Sequence, residues 1–200
     1  MSEASWVNLV DDQPDVRKAL ARLLAAAGHQ VRGFGSAADF LSSSAPQDAG
    51  CVVLDLSMPD IDGLGLQTLL AEAASLLPVI FLSGHGDLAS GVRAMKAGAT
   101  DFLTKPVDEE ALLAAVQAAL QRNTLALASR ASQLDLQGRL ASLTPREREV
   151  LPLLAQGMLN KQIAAALGTA EQTIKIHRAR ILQKMQVRSV TALVRLVEPT

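Results

Sequence analysis

Cysteine is nearly missing from this sequence: Cys51 stands alone among 200 residues. No disulfide within the chain is possible, which suits a reducing compartment. A thiol opening an apolar run reads as a packed group, not a reactive one. No basic segment followed by an apolar run opens the chain, so no secretory signal is expected. No apolar stretch of membrane-spanning length is free of charged or polar residues. These absences make a cytoplasmic protein, with no place in a membrane, the expectation. Disorder does not fit a chain that is 49% hydrophobic.

Net charge is also nearly absent, at −1, but the balance conceals two unlike parts. Through Arg122 there are 8 Lys and Arg against 15 Asp and Glu; from Asn123 onward there are 11 against 5. An acidic front and a basic back imply different partners, and the basic part is a candidate for nucleic acid.

The front is organised around Cys51-Val52-Val53-Leu54-Asp55. A Val-rich apolar run reads as a strand buried on both faces, the kind that parallel sheets use. Strands are also expected at Trp6–Val10, Gln30–Phe34, Val79–Leu82 and Ala99–Thr104, with helices between them. The helices are signalled by Pro14, by caps at Ser36, Asp87 and Asp108, and by stops at Gly28 and Gly98. Ser42 to Gly50 reads as loop, the third helix as about Gly63 to Ser75, and the helix after Asp87 as carrying Val92 and Met95. Five strand–helix units predict an α/β fold with a doubly wound five-stranded parallel sheet.

In such sheets ligands bind beyond the carboxyl ends of the strands. Those ends present Asp11, Asp12, Asp55, Ser83 and Lys105. Any one of them alone is an N-cap or turn residue. Together they form a site of three carboxylates, a hydroxyl and an ammonium. Converging carboxylates resist ionising together, and a hard divalent cation such as Mg2+ relieves the repulsion. The chemistry that suits this set is phosphoryl transfer, with Asp55 as nucleophile forming an aspartyl phosphate. Lys105 would neutralise the equatorial oxygens and Ser83 would hydrogen-bond the bound group.

These residues resemble the receiver domain of bacterial two-component response regulators. The resemblance rests on Asp11-Asp12, Asp55 with Met58-Pro59 and Gly63, Ser83-Gly84-His85-Gly86-Asp87, Met95-Lys96-Ala97-Gly98-Ala99 and Phe102-Leu103-Thr104-Lys105-Pro106. It implies a flavodoxin-like fold and Mg2+ held by Asp12, Asp55, the Ser57 carbonyl and, assisting, Asp11. It also implies phosphorylation of Asp55 by a histidine kinase, and a switch pair of Ser83 and Phe102. The acidic run stops at Asp12, where Gln13 and Pro14 follow.

The basic part reads as helices. Thr144 and Glu147 form a capping box with Pro145 at the first helical position, and Pro152 falls inside that helix. Asn160 is the expected cap of a second helix ending at Gly168, and a third runs from about Glu171 to Met185. Two short helices joined by a Gly-containing turn are a helix-turn-helix, whose second helix enters the major groove. Ile174, Ile181, Leu182 and Met185 take core spacing on the third helix. Gln172, Lys175, Ile176 and Ala179 share a face suited to base edges. His177 reads as a structural or phosphate-contacting residue.

Leu143-Thr144-Pro145-Arg146-Glu147, Asn160-Lys161-Gln162-Ile163-Ala164 and Thr173-Ile174-Lys175-Ile176-His177-Arg178 resemble the LuxR-type DNA-binding domain. The whole chain is thus similar to FixJ/NarL-type regulators. The resemblance places Thr173, Lys175 and Ile176 at the DNA and implies a fourth helix near Ser189 to Val197. Ala179 departs from relatives with a long polar side chain there. Lys161, Arg178 and Lys184 are the expected phosphate contacts, which position without specifying. Implied partners are the kinase, double-stranded promoter DNA, a second copy of the chain on phosphorylation, and RNA polymerase.

The expected organisation is a receiver at 1–122, a partly helical linker at 123–142 and an all-α four-helix domain at 143–200. The expected function is a transcription regulator, not an enzyme. Two alternatives are a Mg-dependent phosphohydrolase and a regulator that ignores phosphate. Phosphohydrolases of the haloacid dehalogenase type carry a second Asp two positions after the nucleophile, where this chain has Ser57.

Overall fold

The computed structural model describes residues 5–84 and 88–197. His85, Gly86 and Asp87, with the cap expected at Asp87, lie outside the described residues. Two compact units are present, Met1–Ser129 and Arg130–Thr200.

The first unit alternates β1 (Trp6–Val10), α1 (Pro14–Ala26), β2 (Gln30–Phe34), α2 (Ala37–Ser42), β3 (Gly50–Asp55), α3 (Gly63–Glu72), β4 (Val79–Ser83), α4 (Leu88–Lys96), β5 (Asp101–Thr104) and α5 (Glu109–Ala141). The five strands are parallel in the order β2-β1-β3-β4-β5. This is the doubly wound arrangement, with β3 central because every one of its residues is buried. One face is closed by Phe40, Leu66, Leu70 and Ala94 from α2, α3 and α4. The other is closed by Leu20, Leu24, Leu112, Val116 and Ala119 from α1 and α5. All four Phe residues and the single Trp belong to this unit.

Local signals hold in detail. Ser36 Oγ accepts the Asp39 N–H and caps α2, and Asp108 Oδ1 accepts the Ala111 N–H at 2.8 Å at the start of α5. Three expected element bounds need correction. The 42–50 segment contains a short 3-10 turn at Ala45–Gln47. Helix α3 stops at Glu72, short of Ser75, and β5 begins at Asp101, not Ala99. Val92 and Met95 lie on the exposed side of α4. The face turned inward is small, with Ser90, Gly91 and Ala94, and the Phe102 ring packs over Gly91.

Helix α5 runs without interruption through residues 123–141, where a partly helical linker was expected. Asn123, the first residue of that segment, is buried. Its Oδ1 accepts the Gly50 N–H at 2.9 Å and its Nδ2 donates to the Leu76 carbonyl at 2.8 Å.

The second unit continues with α6 (Pro145–Ala155), α7 (Asn160–Ala166), α8 (Glu171–Lys184) and α9 (Val190–Val197). Its core of Leu143, Val150, Leu154, Ile163, Ile174, Ile181, Met185 and Leu193 is aliphatic, with Leu136 and Leu140 from the end of α5 packed against it. The capping box at Thr144 and Glu147 is formed on both sides. Asn160 does not cap α7. It is the first helical residue, Leu159 holds the cap position, and the Gln162 side chain reaches back to the Leu159 N–H at 2.8 Å. Leucine has no acceptor to offer there, so the glutamine alone satisfies that end.

Candidate functional site

The chain leaves β1 toward β2 on one side and returns as β3 on the other, and the crevice between them opens at their carboxyl ends. Asp11 and Asp12 follow β1, and Asp55 ends β3. One carboxylate oxygen from each lies within 4.8 Å of the others. Asp11 and Asp55 are only 2% and 3% exposed. Lys105 arrives from beyond β5, its Nζ 2.7 Å from Asp11 Oδ2 and 3.2 Å from Asp55 Oδ1. Ser83 is buried at the end of β4, and Ser57 stands exposed in the loop after Asp55. Phe102 is half-buried on β5 with its ring centroid 6.5 Å from that of Phe81.

A backbone constraint holds Asp55 in place. A Cβ on Gly63 would sit 2.6 Å from the Asp55 carbonyl oxygen and 2.9 Å from the Phe81 ring. Only glycine lets the start of α3 come this close behind Asp55.

Burial pushes the Asp55 carboxyl above its ordinary value; the charge and hydrogen bond of Lys105 work against this, and the Asp11 charge adds to it. For Lys105 burial works downward. The hydrogen bond and charge of Asp11, then those of Asp55, outweigh it and hold the ammonium above the usual lysine range. One cation therefore faces three carboxylates, and the excess is negative. Asp12 Oδ1 is buried with no hydrogen-bond partner among the described residues. A donor set made wholly of oxygen, with one acceptor still unsatisfied, fits a hard divalent cation. A cavity of about 450 Å³ opens over the site, lined among others by Asp55, Ser57, Asp62, Ser83, Ser90, Arg93 and Lys105. Ser90 and Arg93 were not expected here. Both lie on α4, and no local signal distinguishes them from ordinary helix positions.

The second candidate surface is the outer face of α8. Gln172, Lys175, Ile176 and Ala179 are all exposed, and Ile176 is 45% exposed despite being apolar. Thr173 is half-buried. Lys175 pairs loosely with Glu171 at 3.5 Å. Lys161 is exposed on α7, and Arg178 Nη1 donates to Asn160 Oδ1 at 3.5 Å. His177 Nδ1 is buried with no partner among the described residues. Lys184 turns inward. Its Nζ donates to the Ser142 carbonyl at 3.0 Å and to Glu147 Oε2 at 2.6 Å.

An acidic pocket at the switch point of a parallel sheet, followed by a helix-turn-helix with a polar exposed helix, defines a two-part regulator: one part for a phosphoryl-type ligand, one for DNA. Comparison with known proteins agrees. Residues 7–117 match the response regulator receiver domain, and residues 141–197 match the bacterial regulatory proteins of the luxR family. The chain belongs to the response regulators that join these two domains, the transcriptional regulators of two-component systems. It is 42% identical over 197 residues to Nodulation protein W of Bradyrhizobium diazoefficiens, covering 98% of this chain and 87% of that protein. It is 41% identical over 196 residues to the transcriptional regulatory protein FixJ of Azorhizobium caulinodans, covering 98% and 93%. The solved structure of the response regulator StyR superimposes with a TM-score of 0.91 at 45% identity, covering 97% of this chain and 98% of that one. Receiver domains bind Mg2+ at an acidic pocket of this kind. Among the described residues no helix is long and apolar enough to cross a membrane.

Proposed function

We propose that Asp55 is the phosphoacceptor, receiving a phosphoryl group from a histidine kinase, and that its occupancy governs promoter binding by the second unit. The observation that carries this reading is Asp55 itself: a buried carboxylate at the end of the central strand, between two further carboxylates and one lysine, facing an open cavity. Asp11, Asp12, Asp55 and the Ser57 carbonyl would hold Mg2+, which supplies charge neutralisation for the transferred group. Lys105 stands where it neutralises the equatorial oxygens, and Ser83 where its hydroxyl donates to them. Phe102, packed against Gly91 on α4, is placed to turn when Ser83 moves. The new charge shifts a two-state domain and favours pairing with a second copy. Two weak DNA contacts then act as one stronger contact.

Lys175, Ile176, Gln172, Thr173 and Ala179 face the bases in this reading, with Lys161 and Arg178 at phosphates. Lys184 fits a helix-anchoring role better, since its ammonium is already engaged by Glu147. RNA polymerase is the expected further partner. The protein acts as a regulator and not as an enzyme. Ser57, where a phosphohydrolase of the haloacid dehalogenase type carries its acid, has no carboxyl to give a leaving group a proton.

The test is DNA affinity with and without a phosphoryl donor, for wild type and for Asp55→Ala. The donor should tighten wild-type binding and leave the variant unchanged. A donor that alters neither protein overturns the reading. A Mg2+ titration followed by Trp6 fluorescence should respond in wild type and not in Asp12→Ala.

A further inference from the structure

The cavity over Asp55 holds a second cation besides Lys105. Lys105 lies between the Asp11 and Asp55 carboxylates, at the end of the cavity where the phosphoryl group would sit. Arg93 on α4 lines the same cavity and is exposed. Its Nη2 donates to Ser90 Oγ at 2.8 Å, and Ser90 is itself buried. Among the described residues no carboxylate lies within ion-pair distance of Arg93. A guanidinium has five N–H donors in a fixed fork. One is used to hold this group against Ser90, and the cavity leaves room for an anion at the others. At about 450 Å³ the space is several times what one phosphoryl group needs, so a small donor molecule fits whole.

We infer that Arg93, held by Ser90, binds the leaving oxygen of small acyl phosphate donors and so sets how strongly this chain responds to them. This rests on Asp55 being the phosphoacceptor. In the step, an Asp55 carboxylate oxygen attacks phosphorus. The bond from phosphorus to the bridging acyl oxygen breaks, and its electron pair departs with the carboxylate. Negative charge therefore grows on the leaving oxygen, at the end of the donor away from Asp55 and Lys105. A fixed guanidinium there stabilises that charge as it develops. A donor whose phosphorus is bonded to nitrogen behaves differently. Its leaving nitrogen departs protonated and neutral, so a cation at that position gains nothing. Phosphohistidine on a kinase belongs to this second class. Arg93 thus separates the response to acyl phosphates from the response to the kinase.

The experiment measures phosphorylation rates of the full chain by intact mass, with acetyl phosphate and with phosphoramidate. Wild type, Arg93→Gln, Arg93→Lys and Ser90→Ala are compared in Mg2+. Arg93→Gln should slow the acetyl phosphate reaction about tenfold and change the phosphoramidate reaction less than about twofold. Arg93→Lys should fall between, and Ser90→Ala should slow only the acetyl phosphate reaction. Equal slowing with both donors would mean that Arg93 merely attracts the dianionic phosphoryl group, and the inference fails. No change with either donor also overturns it. If wild type reacts with neither donor, the assignment of Asp55 fails first, and that result is distinct from the other two. Arg93 is exposed, so the two Arg93 variants should melt with wild type; if Arg93→Gln does not fold, Arg93→Lys carries the same contrast.

Discussion

Lys105 in the first unit and Lys184 in the second each bring an ammonium to a buried carboxylate, 2.7 Å from Asp11 and 2.6 Å from Glu147. The groups are the same and the outcomes differ. Glu147, only 1% exposed, is fully provided for. Burial works to raise its pKa, but the Lys184 hydrogen bond, the Thr144 N–H and hydroxyl, and the Lys184 charge together hold it below the ordinary value. Asp55 shares one lysine with Asp11 and is left above its ordinary value. A satisfied pair ties helices together. An unsatisfied one stays ready for a ligand.

Substitutions at the two carboxylates and behind them should act with different sign and size. Glu147→Ala removes the acceptor of the Thr144 N–H at the start of α6 and the buried partner of Lys184, and should cost the second unit about 2–3 kcal/mol. Amide exchange in α6 and α8 would read this, with Trp6 fluorescence in the first unit unmoved; a loss below about 0.5 kcal/mol would make the pair decorative. Gly63→Ala forces the start of α3 off the Asp55 carbonyl and should cost the first unit about 1–3 kcal/mol, read by urea unfolding, along with its phosphorylation. Asp55→Asn runs the other way. It removes one of three crowded carboxylates and should raise the first unit's stability by about 1 kcal/mol in the absence of Mg2+.

Acidification should separate the two carboxylates by sign. The Glu147 pKa is depressed in the fold. Its stabilisation is present above the ordinary value of 4.5 and is lost as pH falls through the folded value. Asp55 is raised in the fold, so its ionised form costs stability at neutral pH, and protonation on the way down relieves that cost. Unfolding curves from neutral pH down to about pH 3 should therefore show the second unit weakening relative to the first below about pH 4.5, and Glu147→Gln should flatten the second unit's pH dependence.

Much of this was written locally in the sequence. The Val-rich run before Asp55 gave the central strand, and five strand ends gave the pocket, because parallel α/β folds put chemistry at those ends. The capping box at Thr144 needed only two residues three apart. What escaped depended on distant partners. The inward turn of Lys184 is set by Glu147, 37 positions earlier. Asn123 is fixed by Gly50, 73 positions earlier, although its neighbours read as linker. Helix α5 was obscured for a related reason. Its apolar positions serve one core through Leu120 and another from Leu136, so no single stripe runs along it. Val92 and Met95 belong to α4 as their spacing indicates, but the sequence does not show that both stand on its exposed side.

That division of α5 leaves a bare stretch. Residues 128–135 are exposed throughout, Leu134 at 60%, with no core of either unit behind them. No tertiary core supports these turns; intrinsic propensity and local polar contacts, among them the Asp135–Arg139 pair at 2.6 Å, hold them helical, and such support is marginal over so short a length. They should fray before any other helical turn among the described residues, and Arg130 sits among them. A brief trypsin digest of the native protein would then cut there first and yield two resistant fragments, each carrying its own core.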